Sequence, residues 1–293
     1  METQPDYRIY PSLLDMFQTL LDYESEAEQP WNIVSETALN NGKYPGKEVG
    51  DYILTPDEMY TKLEMNLIDA INRCDGVHIE AADKGTAFNE IVDCLIEHRQ
   101  SSREDIKIHS EKISEDQTAI IAELNGFTFA FDANFCKEIA KRFIGSIPQY
   151  LCRSSIVTKY GEVELYGFID EFMPTRICDI KTTSMYQFGK FEQKWQRHLY
   201  PYCVIESGAA THIDEFEYSV VVWKKGATLI TGEFYPEVYT YNHKKSTDLL
   251  RAHIEHFLWW LNRRKKFITD KRIFGGVNAP GYVGQPINEK LLY

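Results

Sequence analysis

The chain has 293 residues, 43% of them hydrophobic, and a formal net charge of −12 from 32 Lys and Arg against 44 Asp and Glu. That length can bury a sizeable core, and the acidity argues against strong long-range attraction to nucleic acid. No apolar run reaches transmembrane length and the amino terminus lacks a basic-then-apolar leader, so a cytoplasmic protein without membrane contact is expected.

Cys74, Cys94, Cys136, Cys152, Cys178 and Cys203 show no paired spacing, which predicts free, mostly buried thiols and no structural zinc. Charge is uneven along the chain. Residues 1–60 hold three Lys and Arg against twelve Asp and Glu, whereas residues 243–272 hold nine against three. The run Arg263–Lys266 with Lys271-Arg272 suits either phosphate contacts or a solvated helix end complementing the macrodipole.

In chain order, residues 10–24 read as an amphipathic helix opened by Pro11 or Ser12. A polar stretch with Gly42, Pro45, Gly46 and Gly50 follows, and Thr55-Pro56-Asp57-Glu58 is a capping box for a helix to about Arg73. A further helix is predicted from about Asp83 to His98. Its apolar stripe is Phe88, Ile91, Val92, Leu95 and Ile96, which puts Asn89 on the flank and Glu90 toward solvent. Residues 118–131 form a hairpin about Asn125-Gly126, and Asp132 caps a helix to about Phe143.

Ile156–Lys159 and Val163–Glu171 pair about Tyr160-Gly161, and Ile177–Thr182 is the next strand. A helix from about Phe188 to Glu206, kinked at Pro201, precedes strands near 216–223 and 227–235 that meet at Lys225-Gly226. A long helix covers about 243–266, and a glycine- and proline-rich loop runs from Phe274. With no internal repeat or clear linker, one α/β domain over 1–293 fits best. It divides into a helical elaboration (1–80), a core (81–235) and a C-terminal helix and tail (236–293).

The chemistry concentrates in Gly167–Lys181. A type I turn on Pro174-Thr175 sets Met173 opposite Arg176, Phe172 opposite Ile177 and Asp170 opposite Asp179. Directly paired side chains lie roughly 5 Å apart, where like charges repel. Asp179 and Lys181 share a face at about 6.7 Å along the strand. Phe168, Phe172 and Ile177 should share that face, with Val163, Leu165, Ile169, Cys178 and Ile180 on the other. Two acids beside an amine call for a compensating cation, and a divalent metal is the obvious one. An ordinary hairpin with a surface salt bridge also fits, and a one-residue slip turns Asp170 away. Asp105-Ile106-Lys107 and Glu192-Gln193-Lys194 repeat the acid-x-Lys pattern without a preceding acid-bearing strand.

Asn89 reaches inward toward the sheet or bonds water at the helix border. Gln196 and Tyr200, at i and i+4 beside Phe191, Trp195, Leu199 and Tyr202, hydrogen-bond a phosphate, orient the lysine or simply finish a core.

Taken in order, Gly85-Thr86-Ala87-Phe88-Asn89-Glu90, Gly167-x-x-Asp170, Asp179-x-Lys181-Thr182-Thr183 and Gln196-x-x-x-Tyr200 resemble the PD-(D/E)XK nuclease superfamily, in its RecB-type and phage-exonuclease branches. The likeness spans about residues 84–205, and Tyr10–Phe17 is similar to the first helix of such proteins. It implies a restriction-endonuclease-like αβββαβ core, a central mixed sheet flanked by helices, with a helical N-terminal elaboration. The implied activity is Mg²⁺- or Mn²⁺-dependent hydrolysis of DNA phosphodiesters in recombination or repair. Asp170 and Asp179 would bind metal, the Ile180 carbonyl would add a ligand, Lys181 would be the catalytic lysine, and Gln196 and Tyr200 would support it.

Asn89 stands where the RecB-type helix carries histidine, and its amide oxygen suits a hard cation. No cysteine follows Cys203, so the iron–sulfur cluster of some relatives is not expected. DNA is the implied partner, with a phage single-strand annealing or recombination protein and a homo-oligomeric ring as further ones. The alternative is a nuclease-fold DNA-binding or assembly protein that does not cleave. Neither Gly-x-Ser-x-Gly nor His-Glu-x-x-His is present for an unrelated hydrolase.

Overall fold

The computed structural model describes residues 5–26, 56–74 and 78–275. The polar stretch around Gly42–Gly50, Thr55 of the capping box and the tail beyond Gly275 lie outside the described residues.

The elements are β1 (Tyr7–Ile9), α1 (Pro11–Glu26), α2 (Pro56–Ile71), α3 (Glu80–Glu97), β2 (Ile106–Lys112), β3 (Thr118–Leu124), β4 (Phe127–Asp132) and α4 (Ala133–Lys141). They continue as β5 (Ile147–Thr158), β6 (Gly161–Phe172), β7 (Arg176–Thr183), α5 (Gln196–Glu206), β8 (Glu215–Trp223), β9 (Gly232–Thr240) and α6 (His243–Arg263). Short 3₁₀ turns, Lys265–Phe267 and Lys271–Phe274, end the described chain.

This is an α/β fold built on a mixed sheet. Its order is β1-β6-β7-β8-β9, with β5 also paired to β6. β1–β6 and β7–β8 are parallel, and β5–β6, β6–β7 and β8–β9 are antiparallel. A second sheet, β2-β3-β4, is antiparallel. It joins the first where Ile230 N–H donates to Ala130 O (2.7 Å) and Asp132 N–H donates to Ile230 O (2.9 Å).

The central strands are covered on both faces. Alternation along β7 sends Ile177 toward α1, α5 and α6, and sends Cys178 and Ile180 toward α3 and α4. β8 does the same, with Phe216, Tyr218 and Val220 on one face and Val221 and Trp223 on the other. Sheets buried on both faces read as apolar runs, which is why Ser-Val-Val-Val-Trp sits here.

β6 departs from this regularity. Ile169 and Phe172, three residues apart, both pack into the first core together with Val163 and Leu165. A period-2 strand forbids that, so the strand changes phase at Asp170-Glu171. Val163, Leu165 and Ile169 therefore share a core with Phe172 and Ile177, whereas uninterrupted alternation would have separated them. On the neighbouring strand Gln149 adopts φ 49, and it is skipped in a register that runs from Pro148↔Glu171 to Tyr150↔Ile169. A non-glycine residue in the left-handed region is uncommon and marks a place where the surroundings impose the backbone.

Other boundaries moved for tertiary reasons. The helix read from Phe188 begins instead at Gln196, with turns over residues 188–195, so Glu192 is not helical. Gly189 takes φ 81, which interrupts any helix there. Glu90 is buried at 7% exposure, contrary to the solvent-facing expectation. The left-handed turn at His98 (φ 52) swings Arg99 back to Glu90 Oε1 at 2.9 Å. No helix among the described residues is long and apolar enough to cross a membrane. The six cysteines are free; Cys136, Cys152, Cys178 and Cys203 are buried.

Candidate active site

Pro174 and Thr175 close the β6–β7 hairpin, with Met173 N–H donating to Arg176 O (2.9 Å). The ladder pairs Phe172 with Ile177 and Glu171 with Cys178, and there it stops. One step further the strands separate, and Ile180 N–H donates to Asp170 Oδ2 (2.7 Å) in place of a backbone carbonyl. The phase change in β6 thus frees a carboxylate to stand where a ladder bond would be.

On β7, Asp179 is 1% exposed and its two oxygens face two donors. Lys181 Nζ lies 2.6 Å from Oδ2, and Gln196 Nε2 donates to Oδ1 at 2.8 Å. Gln196 also reaches the Tyr200 hydroxyl (3.4 Å). Tyr200 lies against β6 because residue 167 is glycine: a Cβ there would meet Tyr200 Cε1 at 2.7 Å. The start of α5 is set from another element, since Asp15 on α1 accepts from Trp195 N–H (2.7 Å) one residue before Gln196.

α3 lies across β7, where a Cβ at Gly85 would come 2.7 Å from Thr182 Oγ1. Asn89 and Asp93 follow Gly85 at i+4 and i+8 and so share its face. Asn89 Oδ1 is buried without a hydrogen-bond partner. Such an orphan costs about 1–3 kcal/mol unless something binds it.

The electrostatics express confinement. Desolvation, then the charge of Asp179, lifts Asp170 to about 7 against the pull of Lys181, Ile180 N–H and Gln149. Burial also raises Asp179, with Lys181 opposing. Burial would lower Lys181, but Asp179 and Asp170 more than offset it and the net shift is upward, so the ammonium is retained.

Behind Asp170 sits a pair that sequence reasoning missed. Asp93 and Glu171 are both buried and hydrogen-bond each other. Burial pushes Glu171 up to about 8 and raises Asp93 well above the ordinary aspartate value, with the charge of neighbouring carboxylates adding to both shifts. Gln149 hydrogen-bonds both Asp93 and Asp170, tying this pair to the site. The helical spacing Gly85-Asn89-Asp93 was a readable signal for Asp93; the conformation of Gln149 left none.

The expected ligands Asp170, Asp179, the Ile180 carbonyl and Asn89 are all oxygen donors, which would suit Mg²⁺ or Mn²⁺ rather than softer metals. Asp170 and Asp179 come together about Ile180, while Asn89 lies on α3, against the face of β7 that carries Thr182. The unpartnered Asn89 oxygen fits such a group. Among the described residues no cluster of three or more His, Cys, Asp or Glu is arranged to hold a metal, so a cation here would rely on the amide and the carbonyl as well as the two acids.

The basic run lies elsewhere. Lys271–Phe274 packs on β1, which pairs with Val163–Leu165, at least five residues along β6 from Asp170, or roughly 17 Å. Arg264 is held by Glu64 (2.6 Å), and Arg263 stacks over Trp259 (3.7 Å).

No family model matches the chain, and no curated protein matches it. Among solved structures it is similar to one described as the crystal structure of SSO0001, at 11% identity and a TM-score of 0.28. That match covers 50% of this chain and 65% of that one, a likeness too weak to carry an argument.

Proposed function

We propose that the protein is a Mg²⁺- or Mn²⁺-dependent DNA nuclease of the PD-(D/E)XK type. The observation that carries this reading is the array Lys181–Asp179–Gln196–Tyr200, set opposite Asp170 at the point where β6 and β7 part. The order α3, β5–β6–β7, α5, β8 supports it, because that is an αβββαβ succession with β2–β4 and α4 inserted after its first helix. Three antiparallel strands and a fourth parallel to the third complete the sheet of that core.

A hard divalent cation held by Asp170, Asp179, the Ile180 carbonyl and Asn89 would supply charge neutralisation at a phosphodiester. Lys181 would hold a water for attack on phosphorus and balance charge growing on a phosphate oxygen. Gln196 fixes the Asp179 carboxylate, and Tyr200 braces Gln196. The raised Asp170 carboxyl ionises near neutrality, so cation binding and activity should rise together as pH passes about 7.

The test is incubation with end-labelled linear and closed circular DNA, with and without Mg²⁺. Metal-dependent loss of label, abolished in Asp170→Ala, Asp179→Ala and Lys181→Ala with folding retained, supports the assignment; wild-type rates in all three variants remove it. The Lys181 ammonium already seated on Asp179 favours a second reading, a DNA-binding or assembly protein that does not cleave. Calorimetric titration separates the two, since a nuclease must bind Mg²⁺ or Mn²⁺.

A further inference from the structure

Immediately past Lys181, β7 ends at Thr183 and the chain turns out over residues 184–195 before α5. Met185 and Phe188 stand on that turn 79% and 76% exposed. Exposed apolar side chains on a loose loop would carry no meaning, but this loop is fastened. Thr183 Oγ1 donates to Met185 O (2.7 Å) and accepts from Met185 N–H (3.2 Å). Gly189 N–H donates to Glu237 Oε1 (3.1 Å), on a β9 side chain that is fully buried. Tyr186 hydrogen-bonds the same glutamate, and its ring stacks on Tyr235 with centroids 5.0 Å apart and planes 21° apart.

The fastening holds two large apolar groups in water beside a cation. Lys190 is exposed, and its Nζ reaches Thr183 Oγ1 at 3.4 Å, at the root of the loop. Met185 is four residues from Lys181, so the two are within about 14 Å along the chain. Aromatic and thioether surface on the loop that leaves Lys181, with the Lys190 ammonium at the root of that loop, has the chemistry of a single-strand platform. Bases stack on the apolar groups while the backbone meets the cation. Paired bases inside a duplex present no free face to such a platform.

We propose that Met185 and Phe188 form a stacking platform for an unpaired DNA strand entering the Asp170–Lys181 site, with Lys190 meeting its backbone. The inference deepens the nuclease reading and rests on it: it assigns single-stranded or frayed ends as the substrate class.

The experiment uses the full chain in Ca²⁺ and two strands of about twelve nucleotides, one carrying 2-aminopurine throughout its centre and one abasic there. The wild type should quench 2-aminopurine fluorescence and bind the base-bearing strand about tenfold or more tighter than the abasic one, in line with alanine substitution at base-stacking aromatics. Phe188→Ala should lose both the quench and the discrimination, and Phe188→Trp should keep them. Equal binding of the two strands by the wild type overturns the platform. So does loss of self-association in Phe188→Ala by analytical ultracentrifugation, which would make the patch a contact between two copies of this chain. Mg²⁺-dependent cleavage is read separately: stacking without cleavage leaves the platform and removes the nuclease, while cleavage without discrimination does the reverse.

Discussion

Gly167 lies under the ring of Tyr200 so closely that a Cβ there would stand 2.7 Å from Cε1 and 3.4 Å from the hydroxyl oxygen. Tyr200 is buried and braces Gln196, so the absence of a side chain on β6 is a condition for the array on Asp179. Gly167→Ala is expected to cost about 1–3 kcal/mol through overpacking and to displace Gln196, lowering cleavage at least tenfold. The comparison is Gly85→Ala, whose Cβ meets only the Thr182 hydroxyl at 2.7 Å. Rotation of that hydroxyl, together with the helix propensity of alanine, should leave stability within about 1 kcal/mol of wild type. Denaturant midpoints of the two variants read this directly; a loss in Gly167→Ala as small as that in Gly85→Ala would mean that Tyr200 yields.

On the nuclease reading, Lys181 and Asp179 separate cation binding from chemistry. The ammonium sits on Asp179 Oδ2 at 2.6 Å, so removing it frees that oxygen for a cation. Lys181→Ala should lower hydrolysis by about 10²–10³-fold while keeping or tightening Mn²⁺ affinity by calorimetry. Asp179→Asn should lose both. Weakened Mn²⁺ binding in Lys181→Ala would assign the lysine a structural role.

Asp170 burdens the metal-free protein. Burial pushes its folded carboxyl up to about 7 from an ordinary value of 3.8, so the native state binds more protons than the unfolded chain between those values. Stability therefore falls as pH rises through that window, and the loss is complete above it. Asp170→Asn keeps an acceptor for Ile180 N–H and removes the charge. Its metal-free melting temperature should match wild type near pH 4 and exceed it at pH 8, by on the order of 5 °C. Mg²⁺ should raise the wild-type value at pH 8 and leave the variant unmoved. A variant that melts lower than wild type at pH 8 contradicts the argument.

The hairpin was legible because its determinants are local. Pro174-Thr175 sets the turn, and Phe172 and Ile177 pair beside it, just as Asn125 (φ 50) and Gly126 (φ 84) define the β3–β4 turn. Asp132 caps α4 by accepting from Asn134 and Phe135 N–H, again within four residues. What escaped is tertiary. Glu90 falls opposite the apolar stripe on a helical wheel, and only the return of Arg99 buries it. The start of α5 depends on Asp15, about 180 residues earlier. β2 buries little beyond Ile106, so its sequence lacks the alternation of a half-covered strand. The phase change at Asp170 follows from the conformation of Gln149 on a neighbouring strand, and no residue type announces it.

His253 ties the start of α5 to α1 and α6 in a way that acid should undo. Its ring stacks on Trp195 with centroids 3.9 Å apart and planes 6° apart, and Nε2 meets Leu14 O at 3.1 Å. Trp195 immediately precedes Gln196, so this contact sets the base of α5. Burial lowers His253 to about 4, partly opposed by the Leu14 hydrogen bond. An unfolded histidine titrates near 6.5, so between 6.5 and 4 the unfolded chain binds the extra proton and stability is lost as pH falls. The slope from this one group approaches 1.36 kcal/mol per pH unit within the window. His253→Gln retains a donor for Leu14 O and cannot titrate. It should be less stable than wild type at pH 7, where the Trp195 stack is intact, and the gap should narrow steadily toward pH 4.5. Urea midpoints at pH 7, 6, 5 and 4.5 measure that gap; one that stays constant would mean that His253 carries its proton in the folded protein.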